Sequence, residues 1–202
     1  MTATAASAGL VDRLTRAWTA PRASARAEIA MADEARLAFY AVAGSALFAL
    51  GRVGAQWIAP EGAAAADFAG WATAQLAAGL TLRPLSLYLA AGLIGAACRG
   101  LGGTGGWRAT RAAVFWTGLA AAPAAAVLAV LGAALARAGG GWAIGYAGQE
   151  IGAVIWGLLL APALAEAHGF RVWRVLVGLI AAAGLAALAA LLLAGLAAGG
   201  AP

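Results

Sequence analysis

Five stretches of this chain are almost wholly apolar and each is about 20 residues or longer: Leu37–Ile58, Ala72–Cys98, Ala112–Ala136, Gly145–Ala165 and Val172–Leu196. That length is what an α-helix needs to cross the hydrocarbon of a bilayer. The runs lack the period-two alternation of barrel strands, so helices are expected. Composition points the same way. Apolar residues make up 64% of the chain and charged residues only 10%, where soluble proteins carry roughly a quarter charged. A water-soluble globule of this size would lack the polar surface it needs. Short connections between the runs predict antiparallel hairpins, and the fold class is all-α: a polytopic membrane bundle of five transmembrane helices.

The charges between the runs predict an orientation. All 13 basic residues are Arg and none is Lys, a bias that points to a GC-rich bacterial genome. Arg13, Arg16, Arg22, Arg26 and Arg36 precede the first run, while the first loop holds no base but Glu61 and Asp67. Arg99, Arg108 and Arg111 flank the second loop, Arg137 stands alone in the third, and Arg171 and Arg174 mark the fourth. Basic residues mark the cytoplasmic side. This alternation places the amino terminus in the cytoplasm and the carboxyl terminus outside, and it requires an odd number of spans. The net charge of +5 is thereby read as topology and not as a nucleic-acid footprint. The expected divisions are a cytoplasmic segment at 1–34, a membrane domain at 35–198 and a short outer tail at 199–202.

Residues 1–34 contain no continuous apolar core, so no cleaved leader is expected there. Leu10, Val11, Leu14, Ala17 and Trp18 recur at helical spacing, with Asp12, Arg13 and Arg16 on the other face. This pattern fits either an amphipathic helix lying in the headgroup region, anchored by Trp18, or a frayed solvated tail. Pro21 ends it.

Charge inside a span is costly and calls for a partner or water. Arg83, followed by Pro84, sits within the second run, and Glu150 within the fourth. Both runs travel from outside to inside, which puts these residues in the outer half of the bilayer, and Arg52 of the first run reaches a similar depth. A possible intramembrane ion pair of Arg83 and Glu150, with Arg52 nearby, is one reading. Snorkelling of Arg83 is a second, and a substrate or ion path is a third.

Other motifs point to ordinary structure. Gly100-Leu101-Gly102-Gly103-Thr104-Gly105 matches the dinucleotide fingerprint in letters, but that motif works only between a strand and a helix. Here it joins two membrane helices and is expected to be a turn, with Arg99, Arg108 and Arg111 as possible lipid-headgroup contacts. Gly145, Gly148 and Gly152 share one face of the fourth run, and Gly178, Ala182 and Ala186 one face of the fifth, as close helix packing uses. His168, the only histidine, is expected to be a solvated loop residue beside Glu166. Trp57, Trp71, Trp107, Trp142 and Trp173 cluster at span ends, as an interfacial aromatic belt does. The single Cys98 rules out an internal disulfide. No catalytic, metal-binding or cofactor-binding set is found, and no cofactor is expected.

Three short segments resemble the bacterial branch of the Yip-one family, prokaryotic relatives of the Ypt/Rab-interacting membrane proteins. They are Trp18-Thr19-Ala20-Pro21-Arg22, then Pro84-Leu85-Ser86-Leu87-Tyr88, and most fully Gly102-Gly103-Thr104-Gly105-Gly106-Trp107-Arg108 followed by Arg111-Ala112-Ala113-Val114-Phe115-Trp116. The resemblance implies five spans, a cytoplasmic amino terminus and no established enzymatic activity or cofactor. Eukaryotic members bind small GTPases in vesicle traffic, a setting that a bacterium lacks. The expected function is therefore non-enzymatic: organising the lipid bilayer or other membrane proteins. The alternative is a small transporter or channel component built on Arg83 and Glu150.

Overall fold

The computed structural model describes residues 9–140 and 142–199, with side-chain surroundings for 9–139 and 150–194. Five of its helices are long and apolar enough to cross a membrane. In chain order the helices are α1 (Leu10–Thr19), α2 (Pro21–Ala30), α3 (Glu34–Ile58), α4 (Ala63–Ala66), α5 (Phe68–Gly100), α6 (Trp107–Leu135), α7 (Trp142–His168) and α8 (Val172–Gly199). No strand occurs among the described residues. Each expected span lies within one helix except the third, whose last residue, Ala136, opens a wider helical turn, Ala136–Gly140, ending α6. In that turn Gly139 takes φ 103°, a left-handed conformation that glycine accepts at little cost.

The helix boundaries follow local chemistry. Asp33 caps α3 by accepting a hydrogen bond from the Arg36 amide at 2.7 Å, and Asp67 caps α5 through the Gly70 amide at 3.0 Å. Pro21 occupies the first turn of α2, where no helical amide bond is lost. Pro84 lies inside the uninterrupted α5.

Helix α6 is the axis of the molecule, packed between α3 and α7. From Thr110 to Thr117, a stretch that includes Val114, Phe115 and Trp116, it is buried on every side. Helix α5 lies against α3 and α6, and α8 touches mainly α7. Close approach is achieved with glycine. A Cβ on Gly51 would fall 2.6 Å from Ala126 Cα, one on Gly44 would fall 3.1 Å from Leu119 Cα, and one on Gly79 would meet Ala49 Cβ at 2.6 Å.

The segment ahead of α3 is two docked helices. Helix α2 packs on α6 and α7, and α1 packs on α2 and the edge of α6. Ala17 is buried and Leu14 packs on the core, while Val11 and Trp18 remain exposed. The frayed-tail reading does not survive, because Trp18 Nε1 donates to the Ala120 carbonyl at 3.2 Å.

Of the expected packing glycines, Gly152 does meet α6, with a Cβ 3.0 Å from Ala125 Cβ. The surroundings of Gly145, Gly148, Trp142 and Gln149, and the tail beyond residue 199, lie outside the described residues. Gly178, Ala182 and Ala186 are exposed, and Gly178 and Ala182 face a groove shared with Ile94, Ala97 and Cys98 of α5 and Leu164 of α7.

Candidate functional sites: a polar cap and an intramembrane cavity

The amino-terminal end of the bundle gathers most of the chain's charge. The start of α3, the α5–α6 turn and the α7–α8 turn meet there, as the Thr104 amide bonding the His168 carbonyl at 3.2 Å shows. Helices α1 and α2 close this end with a buried network. The Arg13 guanidinium donates to both Glu28 oxygens, at 2.8 and 2.5 Å, and Glu28 is only 2% exposed. The Tyr40 hydroxyl donates to the same carboxylate at 2.6 Å and also accepts from Arg13. Hydrogen bonding to Glu28 raises the Arg13 pKa above its ordinary value. Trp116 Nε1 donates to Ser24 Oγ at 3.0 Å, and its ring lies tilted by 54° against that of Tyr40, 5.2 Å between centres. Arg13 therefore ties three elements, α1, α2 and α3, around one buried carboxylate.

A second tie is electrostatic and more exposed. Arg22 and Arg26 of α2 both donate to Glu166 of α7, at 2.8 and 2.6 Å. The bond to Glu166 raises the Arg26 pKa. Such solvent-facing pairs are screened and contribute modestly.

Two sequence expectations are corrected here. Arg111, expected at lipid headgroups, is buried and donates both terminal nitrogens to Glu34 at 2.7 and 2.6 Å. Its side chain is committed to a bidentate pair beside Trp107 and is not presented to lipid. Arg99 and Arg108 are exposed. His168, expected in a solvated loop, ends α7 and is 2% exposed. Its Nε2 lies 3.0 Å from Thr110 Oγ1, and Phe170 stacks on its ring. The glycine-rich turn explains the burial: Gly103 and Gly105 pass so close to the imidazole that a Cβ on either would lie within 2.8 Å of Nδ1. The turn, with Gly102 at φ 88°, is a seat for a histidine and not a phosphate cradle.

The second site lies inside the bundle. Helices α3, α5, α6 and α7 enclose a cavity of about 320 Å³. Arg83 projects from close to the midpoint of α5 into its wall, and Glu150 of α7 lines it from another side. Among the described residues no ion pair within 4.0 Å joins Arg83 to Glu150, so the expected pair is not formed. The guanidinium instead lies 3.6 Å over the centre of the Phe48 ring, a cation–π contact that partly replaces water. Arg83 Nε is buried without a hydrogen-bond partner among the described residues, and a donor left so costs about 1–3 kcal/mol. Arg52 lies one helical turn beyond Phe48 and takes no part in the lining. The remaining wall is small or aromatic: Gly118, Ala121 and Ala125 of α6, with Tyr40 and Trp156 at the sides. Tyr40 thus belongs to both sites, lining the cavity while its hydroxyl is held by Arg13 and Glu28.

Sequence reasoning did not single out Glu28 or Tyr40, and it met Trp116 only within a segment that carries the family resemblance. One signal was available: Glu28 is the only Glu ahead of residue 33, in a segment otherwise rich in Arg. Among the described residues no cluster of three or more His, Cys, Asp or Glu side chains is placed to hold a metal. Comparison of the chain with protein-family models, with curated proteins and with solved structures finds no match.

Proposed function

We propose that this chain is a non-enzymatic inner-membrane protein of the Yip-one type. Its arginine-rich end faces the cytoplasm and its carboxyl terminus lies outside. Through that end it organises anionic lipid or other membrane proteins. One observation carries the reading: three of the five acids of this end are tied to Arg and a fourth, Asp33, caps α3, which leaves a surplus of cations. Glu28, Glu34 and Glu166 engage Arg13, Arg111, Arg22 and Arg26. Arg16, Arg99, Arg108, Arg171 and Arg174 are exposed, and no carboxylate lies within 4.0 Å of them among the described residues. A belt of bases at a membrane surface attracts anionic headgroups by about 1 kcal/mol per residue. Two of the three segments that carry the Yip-one resemblance, Trp18–Arg22 and Gly102–Trp116, lie towards this end, while Pro84–Tyr88 lies inside α5.

The test is lipid enrichment around the purified protein in mixed vesicles of zwitterionic and anionic phospholipid, read by native mass spectrometry. Anionic lipid is expected to be retained preferentially, and the preference to fall when Arg99, Arg108 and Arg174 become Gln together. Equal retention of both lipids by the unaltered protein would refute the reading.

A second reading, a small transporter or channel component, is favoured by one observation: Arg83 reaches a cavity and has no carboxylate partner there.

A further inference from the structure

Arg83 and Glu150 line the same cavity from different helices, α5 and α7, and do not touch. A membrane interior penalises each of these charges unless something answers it. Had the two met, the cavity would hold a neutral pair and would favour no charged guest. Apart, they present a fork of donors at one place and an acceptor at another. A guanidinium fork matches a carboxylate in shape, and a carboxylate accepts readily from an ammonium group. Between them the wall is apolar, made of α6 alanines and glycine, Leu87, Phe48 and Trp156. The volume of about 320 Å³ is at the small end of ligand sites, which run from about 300 to 1,000 Å³.

We infer that this cavity is a binding site for a small zwitterion of the α-amino-acid class with an apolar side chain. Its carboxylate lies on Arg83, its ammonium group is directed to Glu150, and its side chain lies among the aromatic rings and alanines. The Arg83 side chain makes no ion pair among the described residues, and its terminal guanidinium nitrogens are the donors such a guest satisfies. The Arg83 guanidinium carbon lies 3.6 Å from the centre of the Phe48 ring, a contact that holds the side chain in place before any ligand arrives. Glu150 is itself exposed, so the ammonium end of the guest is the end closer to the cavity mouth. This inference rests on the second reading above and adds to it the chemistry of the guest.

The experiment is thermal unfolding of the full chain in detergent with three probes of one shape: L-leucine, 4-methylpentanoate, which lacks the amino group, and isopentylamine, which lacks the carboxylate. L-leucine is expected to raise the unfolding temperature saturably, with each analogue binding at least tenfold more weakly. Arg83→Met is expected to abolish the response to leucine. Glu150→Gln is expected to bring the carboxylate analogue level with leucine. The analogue series needs only the unaltered protein, so it decides the matter even where a variant fails to fold. If 4-methylpentanoate stabilises the unaltered protein as well as leucine does, the zwitterion is wrong while the cavity remains a solute site. If none of the three shifts unfolding, the inference fails, and the transporter reading loses its support with it.

Discussion

Glu28 shows how a single side chain can decide the behaviour of a whole end. It is buried, and both its oxygens are engaged by Arg13, with Tyr40 donating as well. Arg13→Leu leaves that carboxylate with the Tyr40 hydroxyl alone, and breaking a buried pair from one side costs about 3 kcal/mol. Glu28→Leu together with Arg13→Leu is expected to recover most of the loss, a non-additivity that reports direct contact. Chemical unfolding of the four species of the cycle measures it, and additive losses would contradict the network. The same cycle on Arg83 and Glu150 is expected to give near-additive effects, because the two are not in contact. At this scale the sequence was only partly legible. Intramembrane Arg83 and Glu150 stood out because charge is rare in an apolar run. Burial of His168 did not, since it depends on two glycines sixty-odd residues away passing beside the ring.

At the scale of elements the helices were readable because hydropathy and length suffice to mark a span, whatever the neighbours. Which glycines bring helices together was not, because it depends on which faces meet. Gly51 and Gly178 stand in similar apolar surroundings in the sequence, yet Gly51 abuts the α6 backbone and Gly178 has nothing within 4 Å. Gly51→Ala forces α3 and α6 apart, and overpacking of this kind costs about 1–3 kcal/mol. Gly178→Ala meets open space and gains helix propensity, about 0.5–1 kcal/mol in aqueous helices. Unfolding of the two variants in one detergent is expected to move their midpoints in opposite directions. Destabilisation by Gly178→Ala would show that the α8 stripe is covered, and equal tolerance of both would contradict the α3–α6 crossing.

Taken as a whole, the molecule is a five-helix bundle whose Arg-rich end is closed by its own amino-terminal segment. An interfacial helix floating in the headgroups and a docked cap make different demands on distance. In the docked arrangement α1 and α2 are fixed to α3, α6 and α7 by Glu28, Glu166, Ser24 and the Ala120 carbonyl. Val11 on α1 and Leu101 in the α5–α6 turn are both well exposed and accept spin labels without disturbing the core, once Cys98 is replaced by Ser. Pulsed electron-spin measurements in vesicles are expected to give one narrow distance distribution between them. Glu28→Gln with Glu166→Gln removes the charge on both ties and is expected to broaden it, since the apolar face of α1 alone is only two turns long. A broad distribution in the unaltered protein would mean that α1 roams the interface. Tyr40 would then lose the contacts that hold its hydroxyl, and the cavity would lose one fixed wall.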